Sequence, residues 1–235
     1  GHGGSNIGGE LAIKICPDIL AWFASHVKDK IILVTGTNGK TSTNNMIYSI
    51  ILESGHTCVC NRLGANLVSG LVSAFISECS LTGYIDADYA TLEVDEASLA
   101  KVMAHLTPNI IVFTNLFRDQ LDRYNEIDEI LDRIKASLEK ATDVELLINA
   151  DEPSLASLGR GVAHIKHYYG IETRIDMGSM DLTKDNVFCK FCGERLHYDH
   201  YFYGQLGHYA CTKCHFKRPS PDFKAFIQDF DHERE

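Results

Sequence analysis

Six consecutive residues, Gly36-Thr37-Asn38-Gly39-Lys40-Thr41, combine two glycines, a lysine and a hydroxyl in the order a phosphate-binding loop needs. Glycines let backbone N–H groups turn inward on phosphate oxygens, and a helix that follows adds the positive end of its dipole. In this reading Lys40 reaches the β- and γ-phosphates of ATP and the Thr41 hydroxyl holds Mg2+, with Ser42 in the same nucleotide-binding stretch. Val34 stands where the full pattern has its first glycine, so the loop is a shortened variant. The plain alternative is a glycine-rich turn capping a helix. Gly-Lys-Thr between a buried strand and a long helix favours the nucleotide. Glu93 and Asp95-Glu96 close another apolar run, where a carboxylate can meet the nucleotide's Mg2+. Glu93 is the metal-side candidate, and Asp95 fits a helix N-cap before Ala97-Ser98-Leu99. Thr114-Asn115 opens a polar segment that includes Arg118, Asp119, Gln120, Asp122 and Arg123; it suits a metal or phosphate environment, or a solvated loop with weak surface pairs. Asn149, heading Asn149-Ala150-Asp151-Glu152-Pro153, could bond an adenine edge or its own turn.

A second chemistry lies nearer the end of the chain. Cys189 and Cys192 form one Cys-x-x-Cys pair, and Cys211 and Cys214 form another eighteen residues on. Two such knuckles close a tetrahedron of thiolates around Zn2+ and leave no open position, so the site is structural. His197, His200, His208 and His215 are near enough to substitute, and two disulfides are the other reading. Lys213, Lys217 and Arg218 make the ribbon's end basic, and Phe188, Phe191, Tyr198, Tyr201, Phe202, Tyr203 and Tyr209 interleave. Nucleic-acid binding is therefore a rival use; packing of a module too small for its own core is the expected one.

The elements that must position these groups alternate. Apolar runs at 31–34, 57–60, 89–94, 110–113, 145–148 and 162–167 read as strands. Helical spacing appears at 11–27 (divided by Pro17), 41–54, 67–79 and 127–138. Alternation of this kind predicts an α/β fold, a mostly parallel sheet flanked by helices, with ligands at the carboxyl ends of the strands. The expected division is an N-terminal segment and helix over 1–28, an ATP-binding domain over 29–183, a four-cysteine zinc ribbon over 184–219 and a tail over 220–235.

At 235 residues the chain is one large domain, or one domain plus a small module. Its 22 basic against 32 acidic residues, a formal charge of −10, would repel a phosphate backbone, so no nucleic acid is expected as a broad partner. No apolar run reaches the ~20 residues of a membrane-spanning helix. Residues 1–10 are polar and glycine-rich, without the apolar core of a secretory signal. Cys16, Cys58, Cys60 and Cys79 are scattered, as in a reducing cytoplasm.

The loop 36–41 resembles the ATP loop of the Mur ligase superfamily, which also includes folylpolyglutamate synthases. Asn61-Arg62-Leu63-Gly64-Ala65-Asn66, Glu93, Thr114-Asn115 and Asn149-Ala150-Asp151 follow in that superfamily's order. Within it, the segment 114–124 and the four-cysteine ribbon are similar to the synthetase-subunit family of the lipid II isoglutaminyl synthases. The resemblance covers about residues 10–220. It implies a Mur-ligase central domain and ATP-dependent phosphorylation of the D-glutamate α-carboxylate in the lipid II stem peptide. Ammonia from a separate glutamine amidotransferase of the GatD kind then gives D-isoglutamine. It further implies ATP, Mg2+ and Zn2+ as cofactors, Lys40 and Glu93 as catalytic groups, Asn149 on the adenine side, and Asn66 near the γ-phosphate. The expected place is the cytoplasm, at the inner membrane face where lipid II lies. Gln120 stands where many of these ligases have a metal-binding His, and Lys135 lies about where they have a carbamylated Lys; neither is assigned a role. A C-terminal domain that closes over ATP in the family is not in these 235 residues, so they alone should lack amidation activity. The rivals are a folylpolyglutamate- or cyanophycin-type amino-acid ligase and a nucleotide-gated zinc-ribbon binding protein.

Overall fold

Strands that alternate with amphipathic helices should be buried on both faces, and the computed structural model bears this out. It describes residues 7–62, 64–80, 83–117, 126–141, 143–173 and 188–227. The elements in chain order are α1 (Ile7–Ile15), α2 (Ile19–Ala24), β1 (Val27–Thr35), α3 (Lys40–Glu53), β2 (Cys58–Cys60), α4 (Val68–Glu78), β3 (Ala87–Val94), α5 (Leu99–Met103), β4 (Ile110–Phe113), α6 (Glu126–Leu138), β5 (Glu145–Asn149), α7 (Pro153–Gly161), β6 (Lys166–Ile171), β7 (His197–Tyr203), β8 (Leu206–Ala210) and β9 (Phe223–Ala225). Seven strands form one sheet in the order β2-β3-β1-β4-β5-β6-β9, and every neighbouring pair is parallel.

Burial explains why residues 31–34 of β1 and 110–113 of β4 carry no polar alternation. Leu33, Val34, Leu92, Val94, Ile111, Phe113, Leu146 and Ile148 are all buried. Leu71 and Phe75 of α4, Phe23 of α2 and Ile134 and Leu138 of α6 cover them, in one continuous core. The Phe23 and Phe75 rings stack 5.3 Å apart. After β1 the chain runs to β2 and returns through β3 on one side of β1. It then crosses to β4 on the other. That reversal opens a crevice at the carboxyl end of β1, the place where open parallel sheets take ligands.

Several sequence expectations need correction. The helix candidate over 11–27 is divided at Pro17, but its halves run Ile7–Ile15 and Ile19–Ala24, and Val27 already opens β1. The sixth strand lies at Lys166–Ile171 instead of 162–167. Residues 223–225, read as part of a tail, pair with β6 as the edge strand of the main sheet. All three are exposed, so no hydrophobic pattern announced them. The ribbon is an antiparallel hairpin, β7 with β8, whose small core of Leu196, Tyr209, Phe216, Cys189 and Cys211 includes Ala156 of α7. It is thus packed onto the sheet domain. Among the described residues no helix is long and apolar enough to cross a membrane.

Candidate functional site

The loop after β1 is shaped by two glycines for different reasons. Gly36 has φ 133, and a Cβ there would lie 2.2 Å from Thr114 Oγ1 and 2.6 Å from the Asn115 carbonyl oxygen. Gly39 has φ 80 and meets nothing within 4 Å, so only its left-handed backbone calls for glycine. Gly39 is the N-cap of α3 and offers no side chain to it. The first N–H groups of this 14-residue helix therefore stand without a side-chain cap at the mouth of the loop, an arrangement suited to phosphate oxygens.

Both neighbours of β1 grip the loop. From β4, Asn115 Nδ2 donates to the Asn38 carbonyl and Asn115 Oδ1 accepts from the Asn38 N–H, each at 3.0 Å. The Asn115 carbonyl accepts from the Thr37 N–H at 2.8 Å. Thr114 Oγ1 donates to the Asn38 carbonyl at 2.8 Å. From the end of β3, Glu96 Oε1 accepts from Thr37 Oγ1 at 3.0 Å, and Glu96 Oε2 lies 3.5 Å from Lys40 Nζ. Lys40 Nζ donates to the carbonyls of Gly36 and Thr37. The cation is thus folded over the loop it belongs to.

Thr41 and Glu93 meet at the carboxyl ends of neighbouring strands. Thr41 Oγ1 donates to Glu93 Oε2 at 2.6 Å, and Asn66 Nδ2 approaches Glu93 Oε1 at 3.5 Å. Glu93 is only 3% exposed, and among the described residues no cation pairs with it. A buried carboxylate beside a hydroxyl, with a phosphate loop alongside, is a hard-oxygen donor set that fits Mg2+. Asn61 fixes the backbone of Glu93 at both ends: its Oδ1 accepts from the Glu93 N–H and its Nδ2 donates to the Glu93 carbonyl, each at 2.8 Å. Asn44 and Thr91 brace Asn61 from behind.

Other candidates separate. Asn149 Nδ2 donates to the Thr114 carbonyl at 2.8 Å and its Oδ1 accepts from the Asp151 N–H at 3.0 Å. It ties β5 to β4 directly behind the loop, and an adenine edge would have to displace one of these bonds. Asp95 does not cap α5, whose N-cap is Ser98; Asp95 Oδ1 instead accepts from the Ala97 N–H in a local turn. Lys135 is exposed on α6. Gln120 and the arginines and acids of 118–124 lie outside the described residues. Ser42 is exposed on α3.

In the ribbon, the four Sγ atoms of Cys189, Cys192, Cys211 and Cys214 lie within 4.8 Å of one another. Cys189 and Cys214 are 3.4 Å apart and Cys192 and Cys211 3.5 Å, too far for disulfides and near the ~3.8 Å edge of a Zn–thiolate tetrahedron. The two knuckles are equivalent. Gly193 N–H closes on the Cys189 carbonyl and His215 N–H on that of Cys211, with Gly193 at φ 70 and His215 at φ 60. The Cys214 N–H points at Cys211 Sγ and pulls that thiol down to about 7, towards the thiolate a metal takes. Burial pushes Cys189 the other way. The set is compatible with zinc. The histidines stay outside it: His208 bonds the Ile171 carbonyl and His197 is exposed beside Asp199.

Sequence reasoning missed three groups. Glu96 was visible next to Asp95, but its pairing with Lys40 and Thr37 is not a matter of spacing. Asn61 carried a signal only as part of the 61–66 stretch. Arg218 read as a surface charge, yet it is largely covered and paired with Asp151 (Nε to Oδ1, 2.6 Å) and Glu172 (2.9 Å), and it fastens the ribbon's end to β6.

A family profile described as Mur ligase middle domain matches residues 34–210. The chain is 36% identical over 231 residues to the lipid II isoglutaminyl synthase (glutamine-hydrolyzing) subunit MurT of Staphylococcus aureus strain COL, covering 98% of this chain and 51% of that one. It is 33% identical over 225 residues to the subunit of the same name from Streptococcus pneumoniae strain R6, covering 94% and 48%. The chain thus spans about half the length of the curated relatives it matches. Among solved structures it is similar to a pseudomurein peptide ligase type C from Methanothermus fervidus, with TM-score 0.63, 27% identity, and 86% and 39% of the two chains covered. MurF from Acinetobacter baumannii, with TM-score 0.53 and 16% identity over 64% of this chain and 33% of that one, shares the fold.

Proposed function

Since the chain belongs to the Mur ligase middle-domain family, we propose that it is the ATP-handling part of a synthetase subunit that prepares the D-glutamate α-carboxylate of the lipid II stem peptide for amidation. The observation that carries this reading is the Thr41–Glu93 pair beside the glycine loop, at the open carboxyl end of the sheet. In the proposed reaction a substrate carboxylate oxygen attacks the γ-phosphorus of ATP and the bond to ADP breaks. Ammonia then attacks the acyl carbon, inorganic phosphate leaves with the C–O bond pair, and a proton is lost from nitrogen. Both steps gather negative charge, which fixed cations and N–H dipoles stabilise.

The uncapped N–H groups of α3 and the loop glycines orient the phosphates, and Lys40 leaves its carbonyl partners to meet them. Thr41 and Glu93 would hold Mg2+, which would supply charge neutralisation for the phosphates. Asn61 and Asn66 keep Glu93 aimed. Cys189, Cys192, Cys211 and Cys214 hold a structural Zn2+. The ammonia comes from a glutamine amidotransferase partner, in keeping with the glutamine-hydrolyzing synthase of which the two MurT relatives are named subunits.

The test is hydroxylamine trapping. The native full-length protein, given ATP, Mg2+, lipid II and hydroxylamine in place of glutamine and partner, should release ADP and yield one lipid II hydroxamate per turnover. ATP hydrolysis that depends on a folate or a dipeptide and ignores lipid II would move the activity to another amino-acid ligase.

A further inference from the structure

In the segment that walls the nucleotide loop, residues 113–117, Phe113, Thr114 and Leu116 are buried, so their carbonyls need partners. The segment's partners come from four different places. Phe113 is bonded by the Tyr169 hydroxyl of β6, Thr114 by Asn149 of β5, and Asn115 by the Thr37 N–H of the loop. The Phe117 carbonyl lies near Thr37 Oγ1, whose single proton goes to Glu96. The Leu116 carbonyl is taken by Gln205, at the tip of the ribbon hairpin, whose Nε2 donates to it at 2.8 Å across 89 residues of chain. Gln205 is 1% exposed. The two residues before it are shaped to Phe117. A Cβ on Gly204 would lie 2.8 Å from Phe117 Cε1, and the Tyr203 ring meets the Phe117 ring edge-on at 5.6 Å.

Phe117 in turn holds the loop. Its N–H donates to Thr37 Oγ1 at 2.9 Å, and its carbonyl lies 3.2 Å from that same oxygen. The Thr37 carbonyl is a resting partner of Lys40 Nζ, at 2.9 Å. A continuous set of contacts therefore runs from hairpin tip to phosphate-binding lysine.

We propose that the ribbon's hairpin tip, Tyr203-Gly204-Gln205, is a positioning element for the nucleotide loop, acting through Leu116 and Phe117 on Thr37 and Lys40. The four-cysteine module thereby serves nucleotide binding as well as its own fold. Gln205 is a positioning residue, because it touches the wall and not the nucleotide. This inference rests on the proposed ATP site.

The experiment titrates the native full-length protein with a non-hydrolysable ATP analogue and Mg2+, alongside measured zinc content, thermal midpoint and hydrogen exchange. Gln205→Met keeps the side chain's size and removes the donor. Tyr203→Ala, at a residue 67% exposed, changes only the packing on Phe117 and does not threaten the fold. His197→Ala, at the far end of the hairpin, is the control. The expected result is a Kd raised about 5- to 20-fold in Gln205→Met and about 2- to 5-fold in Tyr203→Ala, with zinc retained. Amides of residues 36–40 should exchange faster in both variants, and His197→Ala should match the wild type. Should Gln205→Met fail to fold, Tyr203→Ala decides alone. Folded, zinc-loaded variants that bind as the wild type does and exchange no faster at 36–40 would overturn the inference while leaving the ATP site standing. A wild type that binds no analogue would overturn both.

Discussion

Glu152 sits wholly buried at the N-terminus of α7, where the ribbon packs on the sheet domain. Its Oε2 accepts from the Leu155 N–H at 2.6 Å, while its Oε1, the Ser154 hydroxyl and Gln205 Oε1 find no partner. Burial pushes this carboxyl from its ordinary 4.5 to about 7, against the opposing pull of the Leu155 and Ser154 N–H groups, Gln205 and Lys190. The sign of the consequence follows by linkage. Below pH 4.5 both folded and unfolded chains hold the proton. Between 4.5 and about 7 the unfolded chain releases it and the folded chain does not, so stability falls as pH rises. Above about 7 the loss levels off. At about 1.4 kcal/mol per tenfold change in proton activity, the interval from pH 5 to pH 8 costs about 2–3 kcal/mol.

Glu152→Gln cannot ionise, and its amide N–H groups can serve the Ser154 hydroxyl or Gln205 Oε1. Urea unfolding of both proteins at pH 5, 6, 7 and 8 isolates the effect, because all other titrating groups cancel in the difference. The stability of the variant relative to wild type should climb by about 2–3 kcal/mol between pH 5 and 8, most of it below pH 7. A constant offset between the two proteins over that range would refute the reasoning, whatever the size of the offset.

Gly36→Ala should destabilise the fold by about 3 kcal/mol or more, since its Cβ meets Thr114 Oγ1 and the Asn115 carbonyl at a left-handed φ; denaturant melts measure it, and Gly39→Ala, which meets nothing, should cost about 1 kcal/mol. Purified protein should carry one zinc per chain by atomic absorption. A strong chelator or Cys211→Ser should remove that zinc and lower the thermal midpoint by several degrees.

How much of this was legible beforehand depends on distance along the chain. The glycine loop and the two cysteine knuckles are local patterns, and residues a few positions apart already suggest their chemistry. The central strands were legible because residues 31–34, 110–113 and 146–148 read as unbroken apolar runs, while in β3 the apolar Ala90, Leu92 and Val94 carry the signal between Thr91 and Glu93. Strand β9 was not, since it is three exposed residues paired at the sheet edge. Helix α7 was hidden by its composition of Pro, Ser and Gly, which its N-cap Glu152 and burial against the sheet outweigh. Thr41 and Glu93 could be paired from strand order. Glu96 with Lys40, Asn61 with Glu93 and Gln205 with Leu116 could not, because those contacts depend on how loops from different strands close on one another. Arg218 is the sharpest case: a cation in a basic run becomes a largely covered clamp on Asp151 and Glu172 only once the ribbon is folded back onto β6.

Calorimetric titration of the native full-length protein with Mg2+ and a non-hydrolysable ATP analogue goes straight to whether Lys40 and the Thr41–Glu93 pair form a nucleotide site. The expected result is one saturable site per chain, dependent on Mg2+, lost in Lys40→Ala and weakened at least tenfold in Glu93→Gln. No heat from the wild type, or heat unchanged by Lys40→Ala, would contradict it.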